Sequence, residues 1–154
     1  MTEKTLYLVS CVSGKLESPA PACELYTSQW FGLTRRFVEN TGAPWFILSA
    51  EHGLVDPDHV IAPYERTLNT MGIDARRDWA RRVKVQMDAV LPAVDRCVVL
   101  AGERYREFLI DYLRTRYVVD VPMQGLAIGQ QLQWLSRRPG LAPDSAMGPG
   151  ERLA

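Results

Sequence analysis

Thr5-Leu6-Tyr7-Leu8-Val9-Ser10-Cys11 is the stretch on which the fold reading turns. Its apolar character is near-continuous and does not alternate, which suits a strand covered on both faces. Two further runs read the same way, Trp45 to Ala50 and Arg96 to Ala101, and Tyr117 to Val121 forms a shorter fourth. Helical spacing fills the intervals. Leu25, Trp30, Leu33 and Phe37 recur over 24–40, with Gly42 just past the end. Trp79, Val83, Met87, Val90 and Leu91 form a second stripe, for which Asp74 is the expected N-cap. Tyr105, Phe108, Leu109, Tyr112 and Leu113 follow Gly102, and a last helix is expected over 128–136.

Strands that alternate with helices imply a mostly parallel sheet covered on both faces. The expected fold class is therefore α/β. A single three-layer α/β/α domain of Rossmann-like type is expected over 1–137, with roughly four strands. Residues 51–68 carry Gly53, Pro57 and Pro63 without a clear period and read as a long functional loop. Residues 138–154 hold three Gly and three Pro and read as a disordered or mobile tail.

The 154 residues suffice for about one domain that folds without a staple. Lys plus Arg is 18 and Asp plus Glu is 18, so the net charge is zero. That balance argues against a chain-wide footprint for nucleic acid. No run approaches the ~18 apolar residues of a membrane span, so no membrane partner is expected. No signal-peptide pattern opens the chain. Cys11, Cys23 and Cys97 are odd in number and widely spaced, which fits a reducing cytoplasm. His52 and His59 are the only histidines, and no H-x-x-x-H or C-x-x-C spacing exists. No metal and no cofactor are therefore expected.

In an open parallel sheet, ligands bind outside the carboxyl ends of the strands. The segments that follow the four strands are Ser10 to Lys15, Ser49 to Leu54, Ala101 to Tyr105 and Pro122 to Gly129. All contain Gly and polar groups, and the site is expected on this edge. Val9 stands where a phosphate loop needs its first Gly, so that motif is rejected. Gly14 still frees the backbone, and Lys15 offers a charge to an anion or simply a solvated turn. Cys11 is either a nucleophile near that cation or a small buried hydrophobe. Glu51-His52-Gly53 is the most site-like cluster, able to move a proton or to cap its loop. Tyr26, Ser28 and Tyr64 are candidates for the same edge, and a tyrosine there can stack on a flat ligand or pin a loop. Gly125 and Gly129 allow close backbone approach at the start of the last helix, where free amides attract anions. Gln130 and Gln131 read a polar edge or cover the helix surface. Arg77, Arg81 and Lys84 share a stripe with Arg76 and Arg82 beside it, either a solvated face or a phosphate-backbone contact.

These residues together resemble an uncharacterised bacterial and phage domain family. The matching residues are Ser10-Cys11-x3-Lys15, Tyr26-x-Ser28, Ser49-Ala50-x-His52-Gly53-Leu54, Pro63-Tyr64, Ala101-Gly102-x2-Tyr105 and Gly125-x-x-Ile128-Gly129-x-Gln131-x3-Leu135. Cys11-x3-Lys15 is also similar, more distantly, to the opening of the archaeosine synthase core. In that core a Pro-Tyr pair follows the Lys directly and a His closes the signature. Here an insertion separates Lys15 from Tyr26, and Phe31 replaces the His. That likeness implies a uracil-DNA glycosylase-like α/β fold and a purine-like or nucleotide ligand.

Three functions are consistent with these readings. The first is a nucleobase- or nucleotide-binding enzyme acting on a base or its glycosidic bond. In it Glu51, His52 and Cys11 are the catalytic candidates. Ser10, Lys15, Tyr26, Ser28, Ser49, Tyr64, Gly102, Tyr105, Gly125 and Gly129 are the binding candidates. The second is a cysteine-dependent hydrolase or transferase using Cys11 with His52 as base. The third is a non-catalytic module that binds nucleic acid through the Arg76 to Lys84 helix.

Overall fold

The computed structural model describes residues 3–12 and 14–138. The expected tail over 139–154, like Ser13, lies outside the described residues. The first strand, β1 (Thr5–Ser10), is central. It pairs in parallel with β3 (Trp45–Ser49) on one side and β6 (Arg96–Leu100) on the other, with Val9 opposite both Ile47 and Leu100. Leu6, Leu8 and Val9 are fully buried, which is why this run lacks polar alternation.

The five-strand sheet has the order β4-β3-β1-β6-β7. All four expected strands are present, with β7 (Val118–Asp120) parallel to β6. The fifth, β4 (Gly53–Val55), lies inside the expected loop and returns antiparallel along β3. A two-strand ribbon pairs β2 (Ala20–Pro21) with β5 (Val60–Ile61). It ties the loop after β1 to the loop after β4.

Among the described residues six α-helices accompany the sheet. The helix expected over 24–40 is divided into α1 (Ala22–Leu25) and α2 (Gln29–Thr41). The break is chemical: the Ser28 hydroxyl accepts the Phe31 N–H and starts a new helix. Gly42, at φ 74°, ends α2 in the left-handed conformation. The next helix, α3 (Ile73–Val90), begins one residue before the expected cap, so Asp74 sits in its first turn. The run after Gly102 forms two short helices, α4 (Glu103–Arg106) and α5 (Ile110–Arg114). The last helix, α6 (Ile128–Ser136), has the expected span. It packs on α2, while α3 packs on β4 and α5 on β7. Among the described residues no helix is long and apolar enough to cross a membrane.

Candidate active site at the carboxyl edge

The chain leaves β1 first toward β3 and later returns to β1's other side as β6. Order reversal of this kind opens a crevice at the carboxyl ends of the diverging strands. Residues from both sides meet there. The Ser10 hydroxyl accepts the Gly102 N–H at 3.4 Å, and the Cys11 thiol donates to Tyr105 Oη at 3.4 Å.

Two hollows share this Cys11–Tyr105 wall. One, of ≈ 760 Å³, is lined by Lys15, Tyr64, Glu65, Arg66 and Thr67 among others. The other, of ≈ 500 Å³, is lined by Ser10, Ser28, Trp30, Gly102, Ile128 and Leu132 among others. Asn69 and Val12 border both. The first hollow is charged and the second mixes hydroxyls with apolar groups.

Behind the charged hollow lies a chain of hydroxyls. Ser49 is fully buried at the end of β3, and its Oγ accepts the N–H groups of Glu51 and His52 at 3.2 and 3.0 Å. The Ser49 hydroxyl donates to Tyr64 Oη at 2.8 Å, and Tyr64 Oη lies 2.6 Å from Tyr26 Oη. Tyr105 Oη accepts the Leu68 N–H at 3.2 Å and lies 3.3 Å from Thr67 Oγ1. Burial first, and then the negative charge of an ionised Cys11, push all three phenols above their ordinary range. They are hydrogen-bond donors over the whole physiological range.

The Lys15 ammonium stands 4.6 Å from the Tyr64 ring centroid and 5.7 Å from that of Tyr26. An antiparallel bridge between Lys15 and Tyr26 holds it there. Among the described residues it has no carboxylate at ion-pair distance. Arg66 is different, because its Nε pairs with Glu51 at 3.3 Å.

Cys11, Lys15, Tyr64, Tyr105, Ser10, Ser28 and Gly102 therefore converge on the joined hollows. Tyr26 and Ser49 support them from behind. Tyr26 is only 5% exposed and packs on Phe31, so it forms wall and not a stacking platform. Glu51 and His52 do not line either hollow. His52 is exposed and meets the Tyr64 ring edge-on, with centroids 5.5 Å apart. Gly125 borders a third hollow of ≈ 420 Å³ that also touches Gly102. Gly129 is exposed on α6.

Gln131 lines the second hollow, and both glutamines make hydrogen bonds within the chain. Gln130 Oε1 accepts the Ala127 N–H at the helix start. Gln131 Oε1 accepts from the Trp30 indole and its amide donates to the Leu126 carbonyl, which locks α6 to α2. Three of the five basic residues on α3 have partners within the chain. Arg76 is buried against Glu107, Arg77 covers the Phe108 ring and Arg81 pairs with Asp78. Thr67, Asn69, Glu65 and Arg66 also line the charged hollow, and sequence reasoning misses them. For Glu65, Arg66 and Thr67 the only sequence signal is membership of the long loop, which the β2–β5 ribbon ties to the loop after β1, and Asn69 lies just beyond it.

Among the described residues no group of three or more His, Cys, Asp or Glu is arranged to hold a metal ion. No curated protein and no solved structure matches the chain. The more distant likeness to the archaeosine synthase core and the uracil-DNA glycosylase-like fold finds no support there. Residues 6–137 match the profile of a family of unknown function, DUF6884, and the chain belongs to that family.

Proposed function

We propose that the chain is an enzyme that binds a nucleotide, or another ligand carrying a nucleobase, across the two joined hollows. It acts on the base or its glycosidic bond. The observation that carries this reading is the Cys11–Tyr105 wall common to both hollows. A nucleotide has an anionic end and a flat, mostly apolar end with polar edges. Lys15, which has no carboxylate partner among the described residues, suits the anionic end. The side of Trp30, Ile128 and Leu132, with hydroxyls from Ser10 and Ser28, suits the other. Cys11 then faces the junction between them. Both volumes lie within the ~300–1,000 Å³ usual for small-molecule sites. The sheet order also favours a Rossmann-like, three-layer arrangement. One right-handed crossover runs from β1 out to β3 and the next runs from β3 back past β1 to β6, which would set α2 and α3 on opposite faces.

The test is thermal unfolding in the presence of free bases, nucleosides, nucleoside monophosphates and short single-stranded oligonucleotides. A ligand at 100 times its Kd stabilises the fold by ~2.7 kcal/mol. Monophosphates should raise Tm more than nucleosides, and Lys15→Ala should remove that preference. No shift with any of these ligands rejects the nucleotide reading.

A further inference from the structure

We propose that the third hollow binds a second phosphate, so that the ligand is a nucleotide inside a single strand, with phosphate on both sides of its sugar. This rests on the nucleotide reading above and names the substrate class of the same site.

The hollows form a row along the carboxyl edge. The mixed hollow shares Cys11 and Tyr105 with the charged one. It shares Trp30, Gly102 and Gln131 with the third, of ≈ 420 Å³. The charged hollow and the third have no lining residue in common, so the mixed hollow lies between them. The segments that follow β6 and β7 build much of the third.

Three basic residues line the row, and one of them is already paired: Arg66 holds Glu51. The other two stand at opposite ends, Lys15 in the charged hollow and Arg106 in the third. Arg106 is half-buried at the end of α4, and its Nη1 donates to the Ala101 carbonyl at 3.1 Å. Among the described residues it has no carboxylate at ion-pair distance. A guanidinium carries five N–H donors in a planar fork, so one anchor leaves donors for a phosphate. Between the two cations lies Ser10, only 4% exposed. Its Oγ accepts the Gly102 N–H, and its own proton has no acceptor among the described residues. A buried donor without an acceptor is costly, so this proton calls for an acceptor on whatever fills the mixed hollow. The edge of a base supplies one. Cation, neutral donor and cation follow the order of phosphate, nucleoside and phosphate along a strand.

The row is electrically balanced. Exposed carboxylates, Glu17 and Glu65 at the charged hollow and Glu103 at the third, offset its three cations. It therefore holds phosphate by contact and not by a long-range field. Two such contacts give a trinucleotide a slope of about −1.4 in log affinity against log salt.

Isothermal titration of the full chain is the test, with the 5′-monophosphates, 3′-monophosphates and 3′,5′-bisphosphates of adenosine and uridine. A bisphosphate should bind about tenfold more tightly than either monophosphate, the gain from one charge-assisted contact. Arg106→Gln should remove that gain. Gln124→Glu, which adds a carboxylate to the exposed wall of the third hollow, should reduce it. Arg82→Gln, on the exposed face of α3, should leave it intact. The middle nucleotide of a trinucleotide has phosphate on both sides. At least one of a DNA and an RNA trinucleotide should match the bisphosphate, and the tighter of the two names the strand. Equal binding of monophosphates and bisphosphates overturns the proposal and leaves the nucleotide reading standing. No binding of any of these ligands rejects both. A gain that survives Arg106→Gln, or one that is lost in Arg82→Gln, puts the second phosphate elsewhere and overturns the proposal. Weaker binding of both trinucleotides than of the bisphosphate overturns the strand. If Arg106→Gln fails to fold by circular dichroism, Gln124→Glu decides.

Discussion

Ser49 gives its only hydroxyl proton to Tyr64 across 2.8 Å, from a position with no solvent exposure at the end of β3. One oxygen thus serves three groups, the N–H of Glu51, the N–H of His52 and the phenol. It shapes the turn into β4 and aims a side chain of the site at the same time. Ser49→Ala leaves two N–H groups without their acceptor and releases the phenol. The expected loss is ~1–3 kcal/mol. Urea unfolding should show a lower midpoint with an unchanged slope.

Gly53 opens β4 at φ 77°, and a Cβ there would fall 2.2 Å from the Gln86 amide oxygen. That amide is not free to leave, because it accepts the Leu54 N–H and donates to the His52 carbonyl. Gly53→Ala therefore adds left-handed strain of ~1–2 kcal/mol and displaces a clamp. Gly32 is the opposite case. It lies within α2, and an added methyl carbon would meet nothing within 4 Å. Gly32→Ala should stabilise by ~0.5–1 kcal/mol. Thermal unfolding of the two variants should move Tm in opposite directions.

The Arg76 guanidinium is 7% exposed and is held by Glu107 at 2.8 Å and the Met71 carbonyl at 2.6 Å. Glu107→Ala would leave the cation buried with one partner lost. Removing one member of a buried pair costs ~3–5 kcal/mol, and the partial exposure of Glu107 puts the expected loss at the lower end. Asp78→Ala, which removes an exposed partner of Arg81, should cost ~0–1 kcal/mol. Equilibrium denaturation of both variants checks the contrast.

Alkali should unfold the protein. Burial pushes the Cys97 thiol from its ordinary 9.0 up to about 12, and burial with the Cys11 charge raises Tyr26, Tyr64 and Tyr105. Above its ordinary value each group ionises in the unfolded chain but stays protonated when folded. The unfolded state then binds fewer protons, so stability falls as pH rises. The contribution is complete below about pH 9 and is lost as pH climbs toward the folded values. Absorbance at 295 nm should show late phenol ionisation coinciding with loss of circular dichroism. Early, non-cooperative ionisation of these tyrosines would contradict their burial.

The periodicity of the chain is enough for the parallel strands and the last helix. A doubly covered strand must be apolar on both faces, and that requirement is local to the run. Boundaries shift wherever a cap decides them: Ser28 restarts a helix within an apolar stripe that continues through it. The strands Gly53–Val55 and Val60–Ile61 are too short to show any period, and their pairing partners are set by tertiary contacts.

By itself the sequence determined which residues must be buried, and hence an α/β chain with its polar and Gly-bearing turns at the carboxyl ends of the strands. Only the tertiary structure decided which of those turns meet. Cys11 and Tyr105 lie 94 positions apart, and Tyr26 and Tyr64 lie 38 apart. Their contact depends on strand order, and burial patterns carry no information about which strand neighbours which. The same reason governs His52 and Cys11: both follow strands at one edge, but the turn into β4 leaves the imidazole exposed, edge-on to Tyr64 and outside the lining of either hollow.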